Sequence, residues 1–227
     1  MFDVAKKAAG VYAADFVKQG MTIGIGSGTT VQWFIEELGK RVGQGLMLTA
    51  VPTSRTTAQL ASQVGIPLID LSNIDRLSVT VDGADEIDPQ GQLIKGGGGA
   101  LLQEKIVAAA SEKLLIIADG SKLVESLGKF PLPVEVIPFA HRQVQRAIFH
   151  SNICKKITLR QAAGKVFVTD HHNYILDCEC EEISNASALN ISLHLIPGVV
   201  ETGLFPGMAD QSIIGYDDGH VEIIKYR

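Results

Sequence analysis

Between residues 20 and 120 the chain repeats one pattern: a short apolar run, a small polar turn, then a stretch with helical spacing. The apolar runs are "MTIGIG" (21–26), "LMLTAVPT" (46–53), "IPLIDL" (66–71), "LSVTVD" (77–82) and "KLLIIAD" (113–119). Between them, "VQWFIEELG" (31–39), "SRTTAQLASQVG" (54–65) and "ALLQEKIVAAASE" (100–112) read as helices, the first ending at Gly39 and the second capped by Ser54. A further helix over 3–19 is implied by the spacing of Val4, Ala8, Val11, Tyr12 and Phe16. Strands that alternate with helices build a largely parallel sheet covered on both faces, so the fold class is α/β with a Rossmann-like sheet.

The pattern changes at "KFPLPVEVIPF", where three prolines mark a boundary. Residues 131–205 then carry short strands ("KKITL", "KVFVTD", "NYILDCE"), the helix "HRQVQRAIFH" and a second helix within 181–193. This is a smaller α+β module of ferredoxin-like type. "QSIIGYDDGHVEIIKYR" closes the chain as a hairpin around Asp218-Gly219 that adds strands to the first sheet. The expected division is 1–130 plus 206–227 for the catalytic domain and 131–205 for the smaller one.

Composition narrows the function classes. With 227 residues, 46% hydrophobic and 20% charged, the chain has the make-up of an ordinary globular protein with a sizeable core. A net charge of −5 and a pI of 5.7 do not advertise nucleic acid or an anionic membrane as partner. Asp3, Lys6, Lys7, Asp15 and Lys18 interrupt the first twenty residues, which excludes a signal-peptide pattern there, and no run approaches the ~18 apolar residues of a membrane span. Cys154, Cys178 and Cys180 are odd in number and lack zinc-site spacing, so "CEC" reads as a strand with reduced thiols. A cytoplasmic enzyme or binding protein is the expected class.

In parallel sheets ligands bind beyond the carboxyl ends of the strands. "GSGTT", "DGADEID" and "DGSK" each follow a strand pattern directly, so they are expected to meet at one sheet edge. "GIGSGTT" fits neither the dinucleotide nor the P-loop pattern, yet its backbone N–H groups and the hydroxyls of Ser27, Thr29 and Thr30 lie at a helix start, a seat for phosphate. In "VDGADEID", Asp82 and Asp85 are closest to the strand end, whereas Glu86 and Asp88 read as a solvated acidic turn. Four consecutive glycines, 96 to 99, cost stability and imply that backbone lies against something. Lys95 stands before them and Glu104 after them, at the mouth of an apolar helix where a carboxylate is partly desolvated. Such a carboxylate suits a general base. Lys122 follows Asp119 at another strand end; Lys6, Lys7 and Arg55 are further cations, and the residues alone do not choose among them. The six histidines lie outside these loops.

These segments together resemble type A ribose-5-phosphate isomerases nearly end to end: "GSGTT", "VDGADEID", "KGGGGALLQEKI", "ADGSK", "LGKFPLPVEV" and "PGVVETGLF" occur in that family's order. The resemblance implies interconversion of ribose 5-phosphate and ribulose 5-phosphate in the non-oxidative pentose phosphate pathway, with no metal or other cofactor. It implies that Glu104 transfers the proton and that Asp82, Asp85 and Lys95 handle the sugar's hydroxyls and carbonyl, the division between the two aspartates staying open. Gly83, Ala84 and Gly96 to Gly98 would lie against substrate, and Ser27, Gly28, Thr29, Thr30, Lys122 and Lys6 would receive the phosphate. The family often has threonine where Ser27 stands and serine where Thr29 stands, and both keep a hydroxyl. It also implies a homodimer or homotetramer, with the 131–205 module as the contact surface. Rival readings are an amino-sugar phosphate deaminase or coenzyme A transferase, a sugar-phosphate-sensing regulator, which would carry an added DNA-binding helix pair, and a metal-dependent isomerase using "DGADEID".

Overall fold

The computed structural model describes residues 2–151 and 153–227. Two compact units emerge: residues 1–84, 103–122 and 208–227 form the first, and 85–102 with 123–207 the second. The sequence pattern alone places the boundary at 130/131, with 85–102 in the first domain. The difference has a local cause: "EI", "LI" and "LF" pair with one another in a small sheet, which draws the glycine loop into the second unit.

Elements are numbered along the chain. The first unit is built on a six-stranded sheet of β1 (Thr22–Ile25), β2 (Thr49–Pro52), β3 (Val79–Asp82), β6 (Leu114–Asp119), β14 (Gln211–Gly215) and β15 (Val221–Lys225). Its order is β15-β14-β6-β3-β1-β2, parallel except for the closing hairpin β14–β15. β6 reads "LLIIAD" and is buried at all six positions, as a strand covered on both faces must be. Ile23, Ile25, Phe34, Leu38, Val81 and Ile117 are core residues that join sheet to helices.

Helices α1 (Phe2–Ala13), α2 (Thr29–Gly43) and α3 (Arg55–Gln63) belong to this unit, as does α4 (Leu101–Ala109) from Gln103 onward. Three expectations need correction. "IPLIDL" is not a strand: only Leu68 makes an isolated parallel bridge, to Ala50, so the sheet ends at β2. α1 stops at Ala13 and gives way to a tighter 3-10 turn, Ala14–Phe16. Gly39 does not end α2; it lies inside it, where a Cβ would come within 2.8 Å of Val64 Cγ2, so the glycine serves close packing. Ser54 caps α3 as expected, accepting from Thr57 N–H.

The second unit carries β4 (Glu86–Ile87), β5 (Leu93–Ile94), β7 (Leu132–Val136), α5 (His141–His150), β8 (Lys156–Leu159), β9 (Gln161–Ala162), β10 (Lys165–Val166), β11 (Tyr174–Glu179), α6 (Ala186–His194), β12 (Val199–Thr202) and β13 (Leu204–Phe205). β7-α5-β8-β11-α6-β12 is a βαββαβ unit whose antiparallel sheet runs β12-β7-β11-β8, the ferredoxin-like arrangement. Alternation on β7 explains its two faces: Leu132, Val134 and Val136 enter the core with Val144, Ile148 and Leu193, while Pro133 and Glu135 face the other way. Only "KV" of the expected strand "KVFVTD" pairs, in the short hairpin β9–β10. Cys154, Cys178 and Cys180 are buried free thiols in this core. Among the described residues no helix is long and apolar enough to cross a membrane.

Candidate active site

In the first unit the sheet reverses its order between β1 and β3, and the polar turns gather at that point. Asp82, the last residue of β3, is fully buried; its Oδ1 accepts from Ser27 N–H at 3.0 Å and Gly83 N–H at 2.7 Å. Gly26 is what makes room for it, because a Cβ there would collide with the Asp82 carboxylate. Gly28 follows with φ +117°, open to glycine and strained for other residues, and caps α2. Thr29 is exposed and Thr30 buried in the first turn of that helix, whose leading N–H groups have no partner within the helix. Ser27 Oγ meets Thr53 Oγ1 at 2.9 Å, Ser54 Oγ at 2.8 Å and Thr57 Oγ1 at 3.0 Å, so this turn carries a cluster of hydroxyls.

α4 runs antiparallel to the strands it covers. Its far end meets the start of β3, where Leu77 N–H bonds Ala110 O, and Gln103 Nε2 bonds Pro52 O at the end of β2 at 2.9 Å. Val107 packs over Gly24 and Thr80. Glu104, one turn earlier and ~5 Å toward the helix start, is therefore carried to the carboxyl edge that holds Asp82 and Ser27. It is only 4% exposed. Asp119 closes the end of β6, accepting from Ser121 N–H and Oγ; Lys122 ends that turn half-buried. Lys6 on α1 is half-buried too, whereas Lys7 lies 5.4 Å over the Trp33 ring.

The second unit holds the glycine loop. Lys95 leaves β5 with its N–H on Gly203 O at 2.8 Å, and its side chain is 2% exposed with Nζ 5.3 Å from the centre of the Phe205 ring. Asp85 Oδ2 accepts from Gly97 N–H at 2.7 Å, and a Cβ on Gly97 would sit 2.6 Å from Asp85 Oδ1. Gly96 and Gly99 have φ of +100° and +85°. Arg160 Nη1 donates to Gly96 O at 2.8 Å and Gly97 O at 3.1 Å. Gly97 and Gly98 remain exposed.

A model of the family "Ribose 5-phosphate isomerase A (phosphoriboisomerase A)" matches residues 49–219. The ribose-5-phosphate isomerase A of Bacillus cereus is 56% identical, over 96% of this chain and 99% of that protein. The chain belongs to the ribose 5-phosphate isomerase A family. Another member, from Parvibaculum lavamentivorans, is 49% identical over 96% of both chains. Among solved structures, ribose 5-phosphate isomerase A from Methanocaldococcus jannaschii superposes with a TM-score of 0.93 at 39% identity, covering 99% of this chain and 100% of that one. A D-ribose-5-phosphate isomerase in complex with phospho-erythronic acid gives 0.92 at 37% identity, covering 97% of each chain.

Of the residues expected from the resemblance to this family, hydrogen bonds join Ser27, Asp82 and Gly83 in one unit and Asp85 with Gly97 in the other. Thr29, Thr30 and Glu104 come to the same sheet edge as Ser27, and Ala84 is half-buried just after Gly83. The side chains of Lys6 and Lys122 make no ion pair or hydrogen bond among the described residues. The acidic turn needs correction: Glu86 is not solvated but buried, taking Gly128 N–H at 2.7 Å and Phe130 N–H at 2.5 Å, and Asp88 caps its own turn through Gln90 and Gln92. Sequence reasoning passed over Thr53 and Thr57, although "PTSRTT" is another polar run directly after a strand. It also passed over Phe205 and Arg160, which are far in sequence from the loop they touch and carry no local signal.

Proposed function

We propose that this chain interconverts D-ribose 5-phosphate and D-ribulose 5-phosphate through a cis-enediol or enediolate, with Glu104 as the base. Family membership supports the reaction, and one observation carries the assignment: Glu104 is a buried carboxylate at the carboxyl edge of the sheet, in the first turn of α4, directly after the glycine loop. In the open-chain aldose, Glu104 takes the proton from C2 while the carbonyl π electrons move to O1. The same carboxyl returns the proton to C1, the O2 proton passes to O1, and the ketose carbonyl forms at C2. The charge on oxygen midway needs donors already in place, and Lys95 with the N–H group of Gly98 is assigned to it. Asp82 or Asp85 assists opening of the furanose ring.

The phosphate is assigned to the turn Ser27 to Thr30, where the first N–H groups of α2 and several hydroxyls converge. Lys122 and Lys6 supply positive charge. Gly83, Ala84 and Gly96 to Gly98 let backbone approach the sugar. Phospho-erythronic acid, named with the similar solved structure, joins a carboxylate to a phosphate-bearing polyol, and a carboxylate has the planarity and charge of an enediolate.

The test is ketose formation from ribose 5-phosphate by purified protein, with and without EDTA, beside Glu104→Gln. Turnover indifferent to EDTA that falls by about 10² or more in the variant, the usual contribution of a general base, is the expected result. Absence of turnover by well-folded wild type would end the isomerase reading. Turnover surviving in Glu104→Gln would move the base to Asp82 or Asp85.

A further inference from the structure

Arg160 follows β8, and its backbone N–H bonds Ile175 O on β11 at 2.9 Å. The side chain lies on the face of the antiparallel sheet opposite the core, with Pro133, Glu135 and Asp177. Asp177 grips it in a fork: Nε to Oδ2 at 3.0 Å and Nη2 to Oδ1 at 2.5 Å. The two side chains are 12% and 24% exposed. Nη1, the remaining nitrogen, reaches out to the carbonyls of Gly96 and Gly97. Phe167 lies beneath the guanidinium at 5.9 Å and also lies where a Cβ on Gly99 would go.

Two arguments make this more than a structural ion pair. A largely buried Arg–Asp pair is an uneconomical way to stabilise a fold, since well-packed apolar side chains of similar volume do as well or better. Its fixed fork does offer geometry. The peptide between Gly96 and Gly97 is trans, so its C=O and N–H point in opposite directions. Arg160 holds the oxygen and Asp85 holds the hydrogen, which pins that peptide plane at both ends. By the same geometry, turning Gly97 O toward Arg160 turns Gly98 N–H away from it. That N–H has no partner among the described residues, and Gly98 is exposed.

We infer that Arg160, clamped by Asp177, is a positioning residue that sets the glycine-loop peptides so that the Gly98 N–H presents to the reacting oxygen. This deepens the proposed isomerase reading and rests on it for the identity of that oxygen. The loop's positive-φ glycines have little stiffness of their own, and a pre-aimed donor is worth most when charge develops in the transition state.

The test compares wild type with Arg160→Lys and Asp177→Asn in the full chain. It reads kcat and KM for ribose 5-phosphate, Tm, and hydrogen exchange of peptides spanning 93–102. Lysine keeps the charge but not the fork, and asparagine keeps the shape but not the charge. Expected for Arg160→Lys is a kcat lower by about tenfold or more with KM within about threefold, the signature of a contact made chiefly in the transition state. Exchange should quicken in the loop and not in β7 or β11, with a smaller change of the same kind for Asp177→Asn. Wild-type kcat and loop exchange in both variants would overturn the inference. So would a kcat that falls only with Tm while exchange rises across the whole sheet, or failure of both variants to fold, since either marks a structural role. If wild type makes no ketose, the isomerase reading falls by itself, and loop exchange still decides whether Arg160 sets the loop.

Discussion

Carboxylates that look alike in the sequence are put to different uses by their surroundings. Asp82 and Asp85 spend oxygens on backbone N–H groups of loops, and Glu104 sits at a helix mouth. Glu135, on the same face of β7 as Pro133, has a different fate. Its Oε1 accepts from Thr169 Oγ1 at 2.9 Å and Asn173 Nδ2 at 3.0 Å, while Oε2 is buried without a hydrogen-bond partner among the described residues. Burial pushes its carboxyl above the ordinary range, and the bonds from Asn173 and Thr169 with the nearby His171 offset only part of that. The folded state then holds this proton more tightly than the unfolded chain. Its contribution to stability is complete below the unfolded value, about 4.3, and is lost as pH rises through the folded one. Glu135→Gln imitates the protonated form. The Tm of wild type relative to that variant should fall with rising pH across this window and then level off. Thermal melts of both proteins from acid to mild alkali check it, and parallel curves would refute it.

At the scale of elements, the strand–turn–helix rhythm of 20–120 is enough to infer the parallel sheet and its polar edge, because continuous apolar runs such as "LLIIA" cannot be satisfied elsewhere than between two covering layers. What the rhythm does not contain is the pairing of two-residue strands. β4, β5 and β13 are too short to show periodicity, yet they move residues 85–102 into the second unit. The glycine run posed the right question and hid part of its answer: Gly97 is small because Asp85 needs the space, which only the fold reveals. The burial of Glu86 is hidden from the sequence for the same reason, since its partners at 128 and 130 lie some forty residues on. Those bonds fasten β4 to the segment that leads into β7. Glu86→Ala should strip two N–H groups of their acceptor, one buried at Gly128 and one part-buried at Phe130, and destabilise the protein by about 3 kcal/mol, with Glu86→Gln costing less. Urea unfolding measures this, and a loss below about 1 kcal/mol would mean that water replaces the carboxylate readily.

For the whole molecule, the sequence reading expects a homodimer or homotetramer with contacts from the smaller module, and the second unit has a surface that suits it. β7 and β12 are antiparallel with Val136 opposite Val199, so Phe139, just after β7, and Leu195, just before β12, come to the same end of the sheet. Phe139 is 82% exposed and Leu195 78%, and Ile191, one turn before Leu195 on α6, is also exposed. Single exposed apolar residues need no explanation, but several large ones at one end of a sheet usually mark an interaction surface. A second copy of the chain is the partner proposed for it, because homo-oligomers with a two-fold axis bury the same patch twice. Light scattering on the purified protein should give a mass at least twice 24.3 kDa. Phe139→Asp combined with Leu195→Asp should shift it toward the single-chain value while leaving the far-ultraviolet circular dichroism unchanged. A wild-type mass equal to one chain would remove the proposal. An oligomer that survives both substitutions would place the interface elsewhere on the chain.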